Sequence, residues 1–167
     1  MKFASHIQKY ESFKNEDHRG YLKILNEDKS KGISLKESFS VQGVFRGMHI
    51  QVPPYDQVKH IQVISGKLID YVLILDFRRS DYGQVYSKEI RAGDDVYIIP
   101  NYCAHGIFAV EPVLFRYLCF GKYSEEHEVS IKNPFSNELN AILSDKDIQA
   151  STLQSQTKIF SAIDWKT

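Results

Sequence analysis

The chain has 167 residues, 43% of them hydrophobic, and its 21 lysines and arginines balance 21 aspartates and glutamates. This length predicts one domain, residues 1–167, around one core. The zero net charge argues against nucleic acid or an anionic membrane surface as a partner. No apolar run reaches the length of a membrane span, and residues 1–20 lack the pattern of a signal peptide, so we expect a cytoplasmic protein.

The pattern along the chain predicts an all-β protein. Residues 1–40 are charged and mixed and predict an N-terminal extended arm, in which residues 21–25 could pair with a sheet edge of this chain or of a partner. From 41 to 131, short runs rich in Val, Ile, Tyr and Phe alternate with Gly, Pro and Asp turns, as in a β-barrel or sandwich. The predicted strands are 43–51, 58–65, 67–77, 85–90, 96–99, 106–110 and 113–120. Residues 132–167 predict a polar tail with one or two short helices.

Strand alternation directs several ionisable side chains towards the interior of this barrel. Lys59 shares a face with aliphatic neighbours, and so does Asp70 on the following strand. His49 and Lys59 lie at equal sequence distance from Pro54, so a hairpin loop at residues 51–57 would place them opposite each other.

The later predicted strands add further candidates to the same interior. His105 shares parity with Ile107, and Tyr117 shares parity with Tyr123. Each of these residues alone is more often a hydrogen-bonded structural residue than a catalyst. Together they predict a pocket with two histidines, a lysine, an aspartate and two tyrosines, a set suited to proton transfer at a carbon acid.

A barrel with inward histidines also suggests a metal-binding cupin. Such proteins usually bring about three histidines and a carboxylate to one ion. Here His49 is followed by Ile50 and Gln51, so the His-x-His pair is missing. The spacing therefore disfavours metal-dependent oxygenase or isomerase chemistry, and no metal ligand is assigned.

Several segments, taken together, resemble the dTDP-4-dehydrorhamnose 3,5-epimerase family in order and spacing. They are Asp17-His18-Arg19-Gly20, Phe45-Arg46-Gly47-Met48-His49-Ile50-Gln51, Gln57-Val58-Lys59, Ile99-Pro100 to Ala104-His105-Gly106, and Tyr117 to Tyr123. The resemblance covers roughly residues 14–150. It implies a cupin-type jelly-roll β-barrel, usually a homodimer, that acts without metal or redox cofactor on a nucleotide-diphosphate 4-keto-6-deoxy sugar in deoxysugar and polysaccharide biosynthesis.

The resemblance also implies roles for individual residues. His49 matches the general base, Tyr117 the acid on the opposite sugar face, and Lys59 the group that stabilises the enolate. Asp147 matches the aspartate that pairs with the base histidine, although Ser144 and Asp147 also have the spacing of a helix capping box. Arg19 and Arg46 match arginines that hold the diphosphate or nucleotide. Further substrate-binding positions are Gln51, Asp70, His105 and Tyr123.

The position of Arg46 depends on local backbone geometry. Strict alternation would point Arg46 away from His49 and into solvent. Gly47 beside it could permit a β-bulge that brings both side chains to one face.

Some positions depart from the family pattern, and they cluster on the nucleotide side. Ile24 occupies a position where the resembled enzymes tend to have a glutamate, and Lys36-Glu37-Ser38 replaces an Asn-His-Ser stretch. Asp94 and Asp95 occupy positions where those enzymes carry basic residues. The nucleotide, whether dTDP, CDP, GDP or UDP, and the number of epimerised carbons therefore stay open.

Two rival functions remain on the same barrel. A nucleotide-sugar 3,4-ketoisomerase would usually show the missing His-x-His motif. The other rival is a non-catalytic barrel that binds a sugar nucleotide or a partner strand. The presence of His49, Lys59 and Tyr117 together argues against it, because simple binding needs no acid opposite a base.

Overall fold

The computed structural model describes residues 10–135 and 137–165, in which the strands form two antiparallel sheets. The six-stranded sheet has the order β1 (Phe13–Asp17), β2 (Gly20–Asp28), β3 (Ile33–Ser40), β10 (Val113–Phe120), β5 (Val58–Ser65), β8 (Tyr97–Ile99). The five-stranded sheet has the order β11 (Glu128–Ser130), β4 (Phe45–Gln51), β9 (Cys103–Ala109), β6 (Lys67–Ile74), β7 (Val85–Arg91). This architecture confirms the predicted jelly-roll barrel.

Two hydrophobic clusters lie on the two faces of the five-stranded sheet. The inner cluster fills the space between the sheets with side chains such as Ile61, Ile107 and Phe115. The outer cluster includes Phe160 and Trp165, which are both fully buried, so the C-terminal segment covers the outer face of this sheet. This burial anchors the end of the chain to the barrel.

The C-terminal segment contains two short helices, as predicted: α1 (Asp145–Ile148) and α2 (Leu153–Ser161). Ser144 caps α1 and Thr152 caps α2, each accepting a hydrogen bond from a backbone N–H three residues later. None of the helices in the described ranges has the length and hydropathy needed to cross a membrane.

The N-terminal part of the chain differs from the predicted arm. Residues 1–9 of that arm lie outside the described residues. Strands β1 and β2 pair with each other, β2 pairs with β3, and β3 pairs along its whole length with β10. The pairing predicted for residues 21–25 is therefore confirmed, with a sheet edge of this chain, but the six-stranded sheet begins at Phe13, whereas the sequence prediction starts the barrel at residue 41.

The composition of β3 explains this difference. The residues of β3 that share a face with Tyr117 on β10 include Ser34, Ser38 and Ser40, all buried. A strand with serines on its inner face lacks the apolar alternation that identifies a half-buried strand. The signal is weak here because this part of the barrel interior is polar.

The predicted cross-strand pairing of His49 with Lys59 is wrong. His49 lies on β4 opposite Ser130 and His105, whereas Lys59 lies on β5 opposite Cys119 and Ile99. The segment between them connects the two sheets and is not a hairpin loop within one sheet. Both side chains nevertheless reach the space between the sheets, where they line one cavity.

Candidate active site

A cavity of about 160 Å³ lies between the two sheets. It is lined by Leu22, Ser38, Arg46, His49, Lys59, His105, Ile107, Phe115 and Tyr117. Five of the residues selected from the sequence are in this set: Arg46, His49, Lys59, His105 and Tyr117. We call His49, Lys59 and Tyr117 the reaction triad, because they are the three groups assigned to proton transfer and enolate stabilisation.

An irregularity in β4 brings Arg46 and His49 to the same cavity. The pairing of β4 with β9 shifts register between these two residues, which confirms the predicted bulge and overturns the solvent-facing alternative for Arg46. Gly47 between them has φ +110°, and a Cβ there would lie 2.6 Å from the carbonyl oxygen of His105. Only glycine fits this backbone, so the Arg-Gly pair is what directs both side chains inward.

The imidazole of His49 contacts a buried carboxylate. His49 Nε2 lies 2.7 Å from Asp147 Oδ1. The Ser144 hydroxyl donates to Asp147 Oδ2 at 2.8 Å, and the backbone N–H of Asp147 donates back to Ser144 at 3.1 Å. The two predictions for Asp147, as a partner of His49 and as part of a helix capping box, are therefore compatible, because its side chain contacts both His49 and Ser144.

The charge state of Asp147 follows from these contacts. Burial alone would raise the pKa of this carboxyl, but the hydrogen bond and charge of His49, the hydrogen bond from Ser144 and the charge of Arg19 leave it below its ordinary value. Asp147 is thus an ionised acceptor that can hold a hydrogen on His49 Nε2. In the neutral imidazole with that tautomer, the Nδ1 lone pair is available.

A second carboxylate beside His49 was missed by the sequence analysis. Glu128 Oε1 lies 3.6 Å from His49 Nδ1, and Glu128 Oε2 accepts hydrogen bonds from Tyr123 at 2.8 Å and from Lys146 at 2.7 Å. Burial would raise the pKa of Glu128, but the charges and hydrogen bonds of His49, Lys146 and Tyr123 leave it lowered. Glu128 follows other charged residues in a loop-like run, and only the pairing of β11 with β4 places it beside His49.

Lys59 and Tyr117 come from the opposite, six-stranded sheet. The pKa of Lys59 is lowered, first because burial penalises the ammonium, and Lys36 adds to the effect. Burial strongly raises the pKa of Tyr117, so this phenol keeps its proton near neutral pH. Within the described residues Lys59 has no ion-pair partner, which leaves its charge available to a ligand.

His105 and Asp70 form a second histidine–carboxylate pair. His105 Nε2 lies 2.6 Å from Asp70 Oδ1, although the two atoms are not aligned as a hydrogen bond. Asp70 is buried behind the cavity wall and His105 lines the cavity. The carboxylate therefore orients the ring of His105, and only the histidine can touch a ligand there.

Besides Asp70 and Asp147, three sequence-selected residues do not line this cavity. Arg19 pairs with Asp17 at 2.7 Å and with Asp147 at 3.5 Å, so it lies behind the reaction triad. Gln51 is buried and accepts a hydrogen bond from the backbone of Ser124.

Tyr123 is the third residue outside the cavity, and the expectation that it shares the inner face with Tyr117 is wrong. It is 51% exposed and lines a separate cavity of about 300 Å³. Strand β10 ends at Phe120, and Gly121 with φ +124° turns the chain, so alternation does not extend to residue 123. Tyr123 reaches the reaction triad only indirectly, through its hydrogen bond to Glu128.

The arrangement as a whole places an imidazole and a phenol on opposite walls. The five-stranded sheet contributes His49 and Glu128, helix α1 contributes Asp147, and the six-stranded sheet contributes Lys59 and Tyr117. A flat ligand between the sheets would have an imidazole on one side and a phenol on the other. Among the described residues, no group of three or more His, Cys, Asp or Glu side chains is placed to hold a metal ion.

Comparison with known sequences identifies similar proteins. The family model described as dTDP-4-dehydrorhamnose 3,5-epimerase matches residues 8–155. A protein of that name from Methanothermobacter thermautotrophicus is 31% identical over 127 residues, which cover 69% of this chain and 67% of that protein.

Comparison with solved structures gives the same result. The dTDP-4-dehydrorhamnose 3,5-epimerase from Elizabethkingia anophelis has a TM-score of 0.70 and 27% identity, covering 88% of this chain and 91% of that one. The epimerase from Bacillus anthracis, whose structure has TDP and PPi bound, has a TM-score of 0.66 and 25% identity, covering 86% and 91%.

Proposed function

The chain belongs to the dTDP-4-dehydrorhamnose 3,5-epimerase family, and from this premise we propose that it epimerises a 4-keto-6-deoxy nucleotide sugar at carbon 3, carbon 5 or both. The observation that carries the proposal is the opposed placement of His49 and Tyr117 across one cavity. Inversion needs removal of a proton from one face of the sugar and delivery to the other, and this requires two groups on opposite sides.

His49 is the proposed base. Its Nε2 hydrogen is held by Asp147, so Nδ1 takes the proton from the carbon beside the ketone. The electron pair of the broken C–H bond moves into the ketone and forms an enolate. Glu128, 3.6 Å from Nδ1, faces the positive charge that His49 then carries and favours the protonated imidazole electrostatically.

Lys59 and Tyr117 complete the proposed reaction. The ammonium of Lys59 stabilises the negative oxygen of the enolate, and burial strengthens this interaction because the local dielectric constant is low. Tyr117 gives its proton to the opposite face of the enolate carbon. Its raised pKa fits a donor that releases a proton only to a strongly basic partner.

The substrate-binding roles implied by the family remain part of the proposal. His105, oriented by Asp70, lines the sugar cavity together with Arg46. Gln51, Arg19 and Tyr123 lie around this cavity, and we assign them to the surroundings of the bound nucleotide sugar. No cofactor enters the proposed steps, since each of them is a proton transfer.

We also propose a homodimer that buries the outer face of the six-stranded sheet. The outer face of the other sheet is covered by the C-terminal segment, whereas this one exposes Ile64, Ile98 and Phe120. A second copy of the chain would remove this apolar surface from water. Sedimentation should give the mass of a dimer, and Ile98→Glu should shift it towards the monomer; a monomeric parent protein at micromolar concentration would contradict the proposal.

A cytoplasmic location is proposed as well. Cys103 and Cys119 are both free thiols and both buried, as fits a protein of a reducing compartment.

Deuterium incorporation tests the proposed reaction. The protein is incubated in heavy water with 4-keto-6-deoxy sugars carried on dTDP, CDP, GDP and UDP, and NMR shows which carbons gain deuterium. We expect incorporation at carbon 3, carbon 5 or both for at least one carrier, with inversion at the same carbon. Incorporation at neither carbon for any carrier would overturn the proposed function.

A further inference from the structure

The proposed substrate is longer than the cavity of the reaction triad. That cavity holds about 160 Å³, less than the roughly 300 Å³ at which sites for drug-sized ligands begin, so it accepts the sugar but not the whole nucleotide sugar. The second cavity, of about 300 Å³, is lined by the turn between β2 and β3 and by residues 121–123. Tyr117 belongs to the wall of the first cavity and Tyr123 to the wall of the second.

Lys36 on β3 lies near one tyrosine from the wall of each cavity. Its Nζ is 5.9 Å from the ring centre of Tyr117 and 5.3 Å from that of Tyr123. The register of β3 with β10 places Lys36 directly opposite Tyr117. The ammonium is therefore close to a wall of the first cavity and to a wall of the second.

The charge of Lys36 is available for a ligand. In the described part of the chain, the lysines that form ion pairs are Lys14, Lys29, Lys31, Lys67 and Lys146. Lys36 is not among them, and its contacts are with the faces of two aromatic rings. These cation–π contacts hold the ammonium in place without neutralising it.

The two arginines that the family resemblance assigns to the diphosphate are in a different situation. Arg19 is paired with Asp17 and Asp147. Arg46 donates from Nε to the Ser40 hydroxyl at 2.8 Å and from Nη2 to a backbone carbonyl at 3.2 Å. A diphosphate would have to share these groups with protein acceptors, whereas Lys36 has no ion-pair partner among residues 10–135 and 137–165.

We infer that Lys36 binds the diphosphate of the substrate between a sugar cavity, which contains the reaction triad, and a nucleoside cavity beyond Tyr123. The inference rests on the proposed function. In an extended nucleotide sugar the diphosphate joins the sugar to the nucleoside, so its charge falls where the structure provides an unpaired cation.

Calorimetric binding of nucleoside diphosphates and of the matching nucleosides tests the inference. The parent protein is titrated with dTDP, CDP, GDP and UDP, and the tightest binder is carried forward. Lys36→Met should raise the Kd of that diphosphate about ten- to hundredfold, the cost of one charge-assisted hydrogen bond, and should leave the Kd of the nucleoside unchanged. Lys36→Arg retains the charge and should stay within a few-fold of the parent protein.

Lys88→Met is the matched control. Its ammonium also lies over a tyrosine ring, 5.3 Å from the centre of Tyr97, but outside both cavities. This variant should bind the diphosphate and the nucleoside as the parent protein does.

Three results would overturn the inference. The first is an unchanged diphosphate Kd in a Lys36→Met variant whose circular dichroism matches the parent protein. The second is an equal loss of nucleoside and diphosphate binding, which would indicate general damage to the site. The third is a parent protein that binds none of the four diphosphates. Deuterium incorporation tests the epimerase proposal separately, so failure of the Lys36 inference alone leaves that proposal standing.

Discussion

The reaction triad differs in the arrangement of its charges from the region around Lys36 and Tyr123, which we call the entrance to the site. His49 is held by Asp147, which is itself held by Ser144 and Arg19, and all of these contacts exist without a ligand. At the entrance, Lys36 has no ion-pair partner among the described residues and Tyr123 is half exposed. The contrast indicates that the groups proposed for proton transfer are positioned before a ligand binds, whereas the lysine proposed for the diphosphate gains a counter-charge only from the ligand.

The largest expected effect concerns Lys59 in the reaction triad. Lys59→Met removes the cation at the enolate oxygen, and we expect kcat to fall by about 10²- to 10³-fold, as for loss of an oxyanion-stabilising donor. The thermal midpoint should rise, because a buried ammonium without an ion-pair partner costs folding free energy and methionine does not. Steady-state kinetics and thermal melting measure the two effects; an unchanged kcat would remove Lys59 from the mechanism.

A smaller effect is expected from Glu128, which connects the entrance to the triad. Glu128→Gln keeps the size of the side chain but removes the charge beside His49 Nδ1, so kcat should fall roughly three- to tenfold while KM changes less. Glu126→Gln is the control, since Glu126 is exposed in the same segment. If both variants have the same kcat, Glu128 acts only as a structural partner of Tyr123 and Lys146.

The smallest effect concerns stability in acid. The folded-state pKa of Asp147 lies below its ordinary value of 3.8, so the unfolded chain binds more protons than the folded chain as pH falls. The free energy of unfolding should therefore decrease between about pH 5 and pH 2.

The variant Asp147→Asn isolates this contribution. It should be less stable than the parent protein at pH 7, and its stability should depend less on pH over the acidic range. Asp145→Asn, at an exposed position of the same helix, should keep the pH dependence of the parent protein. Denaturation at each pH gives the free energy of unfolding. If this free energy falls equally with pH in the parent protein and in Asp147→Asn, the assignment is contradicted.

The fold was predictable where inward positions are apolar. The strands Val58–Ser65 and Val113–Phe120 have the predicted bounds, because most of their inward residues are hydrophobic and alternate regularly with outward ones. Strand β3 was not predicted, because its inward residues are serines. The feature that makes part of the barrel interior polar also hides that part from a search for hydrophobic periodicity.

The site was predictable where a motif fixes the local backbone. Arg46, Gly47 and His49 form one bulge whose geometry requires the glycine, and the sequence pattern reflects that requirement. The position of Glu128 depends on the pairing of a three-residue strand far along the chain, which no local pattern encodes. The partner of Lys59 was predicted wrongly, because equal spacing about a turn fixes a pair only when both strands belong to one sheet.

The account depends most on the opposition of His49 and Tyr117, and one pair of variants tests it directly. In heavy water with the substrate identified above, Tyr117→Phe should still exchange the proton that His49 removes but should return deuterium with the original configuration. His49→Ala should show neither exchange nor inversion at that carbon. NMR of the recovered sugar separates the two outcomes. Inversion by Tyr117→Phe at the parent rate, or exchange by His49→Ala at the parent rate, would contradict the assignment of base and acid to opposite walls.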